Sequence, residues 1–392
     1  MRHAVIVDLV RTPVGRGRSS GALAGVHPVS LLGQTFTALL SRTGIDPGTV
    51  EDIIVGCVTQ GGEQSNIPGR HAWLGQGLPE HVPSVTIDRK CGSGQQAVDF
   101  AVQAVRSGAY ETVIAAGVES MSRVPMGSSR AGADSVGPQV SQRFPTLVPQ
   151  GIAADLIARR WGLSRHQLDE YAARSHQRAA DTARDGGFVE EICPVRTPEG
   201  IVSADETIRP DTTVERLAGL PPAFATVPLP TALGELDHTI TAGNSSQLAD
   251  GASAVLVMEQ ERARALGLRP RARVLASAVC GDDPVLMLTG VIPATERVLE
   301  RCGLTLSELD AVEVNEAFAS VPLAWQAQFG LALDKLNPRG GAIALGHPLG
   351  ASGGRLLATL VNHLEQTGGR YGLQTMCEAG GMANAMVIEA LR

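Results

Sequence analysis

Short apolar runs alternate with amphipathic stretches along the chain, and that alternation predicts a layered α/β protein. In the first part, Val5-Ile6-Val7, Asp52 to Gly56, Val85-Thr86-Ile87 and Thr112 to Ala116 read as strands. Between the last two, Ala97 to Arg106 reads as a helix, with Val98, Ala101, Val102 and Val105 on one face. A similar set comes late in the chain. Ala272 to Leu275, Asp310 to Val314 and Leu373 to Met376 read as strands, and Gly353 to Leu364 as a helix with Leu356, Leu357, Leu360 and Leu364 on one side.

The two sets run in parallel order. In the first, a glycine-rich turn (Cys91-Gly92-Ser93-Gly94) opens a helix, and the next strand ends near Glu119. In the second, Gly346-His347-Pro348-Leu349-Gly350 opens a helix, and the next strand ends near Cys377. This reads as a diverged duplication of one βα unit. It puts Cys91 and His347 in equivalent places, each at a helix N-terminus, and predicts that the halves bring them together. The segment between differs. Residues 121–150 are rich in Gly, Pro, Ser and Arg and read as an extended loop. Ser164 and Gln167 then form a capping-box pattern, which predicts a helix to about Arg184, stopped by Gly186-Gly187. Its arginines (Arg159, Arg160, Arg165, Arg174, Arg178 and Arg184) either meet an anionic ligand or line solvated helix faces.

A length of 392 residues fits two or three domains, and 43% hydrophobic content suffices for a large core. The net charge of −7 argues against a nucleic-acid partner. No run of about 18 apolar residues predicts a membrane span, and the N-terminal apolar run is too short for a signal peptide. Six cysteines without C-x-x-C spacing read as free thiols in a reducing cytoplasm, not as a disulfide frame.

Chemistry is concentrated at the predicted strand ends, where open α/β sheets bind ligands. Cys91 at a helix start should have a lowered thiol pKa, although a buried structural cysteine is the commoner fate. His347, between Gly346 and Pro348, could take a proton near neutral pH. Asn315-Glu316-Ala317-Phe318 and Cys377-Glu378-Ala379-Gly380-Gly381 complete the set. No His/Cys/Asp cluster has metal-ligand spacing. A rival reading takes Gly92-Ser93-Gly94-Gln95-Gln96-Ala97 with Glu119 as a dinucleotide fingerprint, which would make the chain an NAD-dependent oxidoreductase.

Taken together and in this order, these four blocks resemble the catalytic blocks of the thiolase family, and Thr241 to Ser246 followed by Asp250-Gly251 resembles the block beside its coenzyme A site. The resemblance covers essentially the whole chain. It implies a thiolase-like α/β fold, two similar βα halves in an αβαβα arrangement with an inserted loop domain. The halves would be residues 1–120 with 246–269, and 270–392; the loop domain would be 121–245. It implies a coenzyme-A-dependent acyltransferase working by ping-pong through an acyl-Cys91, in fatty acid metabolism.

By the same resemblance His347 activates Cys91, Cys377 moves the α-proton, and Asn315 holds a water that, with His347, makes one oxyanion hole. The backbone N–H groups of Cys91 and Ala379 make the other. Ser246, Phe224, Ala317, Phe318 and Gln150 would line the CoA and acyl groove. CoA and acyl-CoA would be substrates, with no permanently bound cofactor, and the assembly a homodimer or homotetramer. A condensing enzyme of the ketoacyl-synthase type is the related alternative; the second cysteine, Cys377, favours thiolase. Two departures stand out. Ala379 replaces a frequent glycine, and Pro149-Gln150 stands where short-chain biosynthetic members tend to carry His-Met, which leaves room for a longer or bulkier acyl chain.

Overall fold

A computed structural model describes residues 2–391. In chain order the first half contains β1 (Ala4–Arg11), β2 (Gly15–Arg16), α1 (Pro28–Thr43), β3 (Asp52–Gly56), α2 (Pro68–Gly75), β4 (Ser84–Ile87), α3 (Ser93–Ser107) and β5 (Thr112–Ser120). The insertion follows, with α4 (Pro138–Arg143), α5 (Gln150–Arg160), α6 (Arg165–Arg184), the hairpin β6 (Val195–Thr197) and β7 (Gly200–Val202), and α7 (Val214–Ala218). Then β8 (Ala249–Glu259) and α8 (Gln260–Ala265) return to the first half. The second half contains β9 (Ala272–Gly281), α9 (Val291–Cys302), β10 (Ala311–Val314), α10 (Ser320–Phe329), α11 (Ala342–Leu345), α12 (Leu349–Thr367), β11 (Tyr371–Glu378) and β12 (Met382–Ala390).

The main sheet runs β10-β11-β12-β9-β1-β8-β5-β3-β4, with β2 beside β8. Among the described residues, the strands of its two blocks pair with each other only at Ile6 and Ala272. Within each block the wiring is the same. β3 is parallel to β5 as β10 is to β11, and β5 is antiparallel to β8 as β11 is to β12. β8 is antiparallel to β1 as β12 is to β9. Even the partner of β3 at the edge, β4, has a trace in the second block, where Leu336 bridges in parallel to Val312. The duplication suggested by the sequence is therefore explicit in the topology.

Helices α1, α2 and α8 cover one outer face and α9 and α10 the other, while α3 and α12 fill the middle layer, giving five layers. The middle layer is the apolar core shared by both blocks. Val98, Ala101, Val102 and Val105 of α3 meet Leu357, Leu360, Val361 and Leu364 of α12 there. Burial of such side chains contributes about 1.5–3 kcal/mol each.

α12 is longer than the predicted Gly353–Leu364 helix because its glycines are contact residues, not breakers. A Cβ on Gly353 would lie 2.0 Å from the Gln95 backbone nitrogen, and one on Gly94 2.5 Å from the Gly350 carbonyl oxygen. The two helices thus touch backbone to backbone at their N-terminal ends. Whatever precedes each helix, Cys91 on one side and His347 on the other, is drawn to the same place.

The insertion is more structured than an extended loop. α4 interrupts residues 121–149, and α5 begins at Gln150. The capping box at Ser164 and Gln167 is formed, and α6 ends at Arg184. Most of its arginines are tied to the protein. Arg159 donates to the Leu233 and Glu235 carbonyls, Arg165 to Asp169 and two carbonyls, and Arg178 to the Leu333, Leu336 and Asn337 carbonyls. Residues 188–207 lie against the first half, where buried Arg11 pairs with Glu191 at 2.6 Å and Asp205 at 2.7 Å. No helix among the described residues is long and apolar enough to cross a membrane.

Candidate active site

His347 sits in the turn that opens α12, and the backbone before it is strapped down. Gln247 accepts from the His347 N–H at 2.9 Å through its carbonyl, and its side-chain amide donates to the carbonyls of Thr207, Ile343 and Ala344. The ring is oriented by Ser352, one turn into α12. Ser352 Oγ donates to the Pro348 carbonyl at 2.9 Å, so it accepts from His347 Nδ1 at 2.6 Å. This assigns the proton to Nδ1 and leaves the lone pair on Nε2, which faces Asn315 Nδ2 at 3.3 Å. Burial, with a smaller push from the Arg355 charge, holds the imidazole neutral, its pKa lowered to about 3.

Asn315 is fixed by the end of β10. Its N–H donates to the Thr375 carbonyl, and the next residue, Glu316, is a buried hub. Glu316 accepts from Tyr171 Oη, Ser175 Oγ, Asn337 Nδ2 and the Ile343 N–H, tying α6 of the insertion to the Asn315 and His347 segments.

Cys91 and Cys377 are both buried, and their sulfurs are close enough for a charge on Cys91 to be felt at Cys377. Here the expectation of a lowered Cys91 pKa is corrected. Burial pushes the thiol up to about 12, and the Glu378 carboxyl adds to the rise. The helix N-terminus does not outweigh the loss of hydration. Burial likewise pushes the Cys377 thiol well up. The resting site therefore holds two neutral thiols and one neutral imidazole. A proton must leave Cys91 during attack on the substrate, not before it. The turn after Cys377 is tight: Ala379, Gly380 and Gly381 connect paired Glu378 and Met382, with Gly380 and Gly381 left-handed at φ 96° and 76°. Glycine at both positions makes that turn free of strain.

The groove residues fall into two contacts. Ser246 donates its N–H to the Ala317 carbonyl at 2.9 Å, and Ser245 bridges to Phe318, so the 241–246 block lies along the end of β10. Phe224 meets Phe318 edge to face with centroids 6.2 Å apart. Phe224 also packs on Gly151, where a Cβ would lie 2.1 Å from its ring. Gln150, half-buried as the first residue of α5, is thereby placed beside the aromatic pair.

The dinucleotide reading fails on Glu119. That carboxylate is fully buried and accepts from Val58 N, Thr59 N, Gln64 Nε2 and Gly350 N, so no acceptor is left for a ribose. No group of three or more His, Cys, Asp or Glu among the described residues could hold a metal ion. Gln247 and Ser352 were missed by sequence reasoning. Their signals were adjacency to Ser246 and a position one helical turn after His347.

Comparisons with known proteins bear on this geometry. Residues 4–261 match the family described as thiolase, N-terminal domain, and residues 268–390 the one described as thiolase, C-terminal domain. The chain is 44% identical to a steroid 3-ketoacyl-CoA thiolase of Mycobacterium tuberculosis, over 100% of this chain and 95% of that protein. It is 43% identical to a 3-ketoacyl-CoA thiolase of Photobacterium profundum, over 99% and 100%. Among solved structures, the Bacillus anthracis acetyl-CoA acetyltransferase matches with a TM-score of 0.88 at 34% identity, covering 100% of this chain and 99% of that one.

Proposed function

This chain belongs to the thiolase family and is an acyltransferase, and from that premise we propose the residue roles, the substrate range and the setting of the reaction. Cys91 attacks the 3-keto carbonyl of a 3-ketoacyl-CoA and passes its proton to His347 Nε2. The oxyanion is held by one of two donor sets, Asn315 with His347 or the N–H groups of Cys91 and Ala379. The bond between C2 and C3 then breaks. The acetyl-CoA enolate takes the Cys377 proton at carbon, leaving an acyl-Cys91 and a Cys377 thiolate. A CoA thiol gives its proton to Cys377 and attacks the acyl group. As the shortened acyl-CoA leaves, Cys91 recovers its proton from His347. Run backwards, the same steps are a Claisen condensation.

The observation that carries this reading is the setting of His347: Ser352 Oγ donates to the Pro348 carbonyl and lies 2.6 Å from Nδ1, an arrangement that favours the proton on Nδ1 and leaves Nε2 as the acceptor in a dry site where Asn315 faces it. The reading predicts that acetyl-CoA leaves an acetyl group on Cys91, and that Cys91→Ser forms no acyl-enzyme because a hydroxyl is much less acidic than a thiol and yields its proton to His347 far less readily during attack. Peptide mass spectrometry decides it: acetylation found only at another residue overturns the assignment.

For the substrate, we propose 3-ketoacyl-CoAs longer or bulkier than acetoacetyl-CoA. Support comes from Pro149-Gln150 at the start of α5 beside Phe224 and Phe318, and from the similarity to a thiolase named for steroid 3-ketoacyl-CoA. A buried methylene contributes about 0.8 kcal/mol, so a few carbons shift preference about ten-fold or more. Measuring kcat/KM from four-carbon to ten-carbon 3-ketoacyl-CoAs, with a polycyclic acyl-CoA added, tests it. A steep preference for the four-carbon substrate alone refutes it. We further propose that CoA and acyl-CoA act as substrates without a permanent cofactor, that Ser246, Ala317, Phe318, Phe224 and Gln150 line their groove, that the protein works in the cytoplasm as a homodimer or homotetramer, and that residues 121–245 form the loop domain over the site.

A further inference from the structure

The mechanism leaves one buried acid beside the reacting thiols unused. Glu378 follows Cys377 at the end of β11 and is 0% exposed, and neither carboxyl oxygen has a hydrogen-bond partner among the described residues. It is aimed at the segment that carries the other cysteine. A Cβ placed on Gly92 would lie 2.0 Å from Glu378 Oε1, so the carboxyl rests directly on the backbone next to Cys91. The same virtual Cβ would lie 2.7 Å from Asn384 Nδ2, and that amide donates to the Gly92 carbonyl at 3.0 Å. Asn384 Oδ1 also lacks a partner. Three acceptor oxygens thus crowd one dry spot at the start of α3.

A carboxylate left there without donors is costly, whereas a carboxylic acid brings its own donor. We propose that Glu378 is a positioning residue for the acylation step: as a neutral acid it braces the Cys377 strand against the Cys91 turn and leaves a forming Cys91 thiolate unopposed, and as a carboxylate it opposes that thiolate and slows acylation. The inference rests on Cys91 being the nucleophile.

The charges around it agree. Burial pushes Glu378 up to about 8, Arg89 pulls it back, and Asp88 adds to the rise. Facing Cys91 are Glu378 and, more weakly, Glu119, both opposing its ionisation, and Lys90, which favours it. Cys377 faces Cys91 and Glu378 as well. Of the groups that oppose the thiolate, Glu378 has the largest effect. Removing its charge removes that opposition only where the charge exists, at the alkaline end.

The test is the pH dependence of iodoacetamide alkylation read on the Cys91 peptide, in the full-length protein. In the wild type, the slope of log rate against pH should fall below one where Glu378 ionises, at about pH 7–9, because a nearby charge of like sign opposes each further step of thiolate formation. In Glu378→Gln that flattening should vanish. The variant should match wild type at about pH 6.5 and react several-fold faster at about pH 9. Glu378→Leu, neutral and of similar size, carries the same expectation should the glutamine variant fold poorly. A wild-type slope of one throughout, or a variant-to-wild-type ratio that does not change with pH, overturns the proposal; a purely structural brace would change thermal stability and leave that ratio flat. Since alkylation reads the thiol directly and acetylation reads the reaction, this inference and the acyl-Cys91 reading can fail separately.

Discussion

His347 depends on a hydroxyl five residues further along the chain. Without Ser352 the ring could carry its proton on either nitrogen, and only one choice leaves Nε2 open to accept from a thiol. In the proposed mechanism the two cysteines divide their work: Cys377 moves a proton at carbon, which acylation of Cys91 by acetyl-CoA does not require. Cys377→Ala should therefore keep acyl transfer to Cys91 and lose carbon–carbon bond formation and cleavage. His347→Ala should depress both half-reactions, each by about 10²-fold or more, since in that mechanism it both activates the nucleophile and binds an oxyanion. Rapid-quench measurement of acyl-enzyme formation beside steady-state thiolysis separates them, and equal loss of both half-reactions in Cys377→Ala would contradict the division. Cys91, Asn315, His347 and Cys377 stood out as candidates in the sequence because each sits in a short motif at a strand or helix end. Ser352, Gln247 and Glu378 did not, because a serine in a helix or a glutamate in a strand has no distinctive pattern until its partner across the fold is known.

The element that brings the halves together is the pair α3 and α12. Their contact was hidden in the sequence because glycine inside a predicted helix reads as a breaker. Gly353 shows why it is not one here. By helix propensity alone, alanine should stabilise α12 by about 1 kcal/mol. The new methyl would instead meet the Gln95 backbone nitrogen at 2.0 Å, and backbone cannot swing aside as a flexible side chain can. Overpacking of this kind costs about 1–3 kcal/mol, so Gly353→Ala should lower the thermal midpoint. Activity should fall further than stability does, because parting the helices also parts Cys91 from His347, and a misplacement of about 1 Å can cost about 10²-fold. Circular dichroism melts and kcat on the same preparation check both. A midpoint at or above wild type would show that the helices can slide without cost. The α/β class was legible from alternation, whereas the five-layer arrangement and the return of residues 246–269 to the first half came only with the family resemblance: Ala249 to Glu259 pairs with β1 and β5, more than a hundred residues upstream, and no local pattern marks that pairing.

Seen as one molecule, the protein encloses several ionisable groups in its interior, and their balance sets how it tolerates pH. His176, His347 and His363 are held neutral by burial, lowered to about 4, 3 and 4. Below about 6.5 the unfolded chain takes up protons at these three that the native state refuses, so they cost stability as pH falls. Glu313 and Glu378 act in the opposite sense. Both are pushed up to about 8, burial being the largest cause. The native state keeps two protons that the unfolded chain releases above about 4.5. Their contribution is full below that value and is lost as pH rises through about 8. Asp250, raised to about 6, behaves similarly over a lower range. Between about 4.5 and 6 the three histidines and three acids largely offset one another. The histidines are half titrated at about 6.5 and nearly finished by about 7.5, and above that only the two glutamates remain. The thermal midpoint should therefore fall between about pH 7 and 8.5, each glutamate contributing at most about 1.4 kcal/mol per pH unit. Glu313→Gln, neutral at every pH, should halve that slope. It keeps the buried shape beside Arg355, whose three guanidinium nitrogens already lack hydrogen-bond partners among the described residues. Differential scanning calorimetry at several pH values in that window measures both slopes. A wild-type midpoint that is flat or rises with pH would mean that these carboxyls are ionised in the folded protein, and an unchanged slope in Glu313→Gln would remove Glu313 from the account.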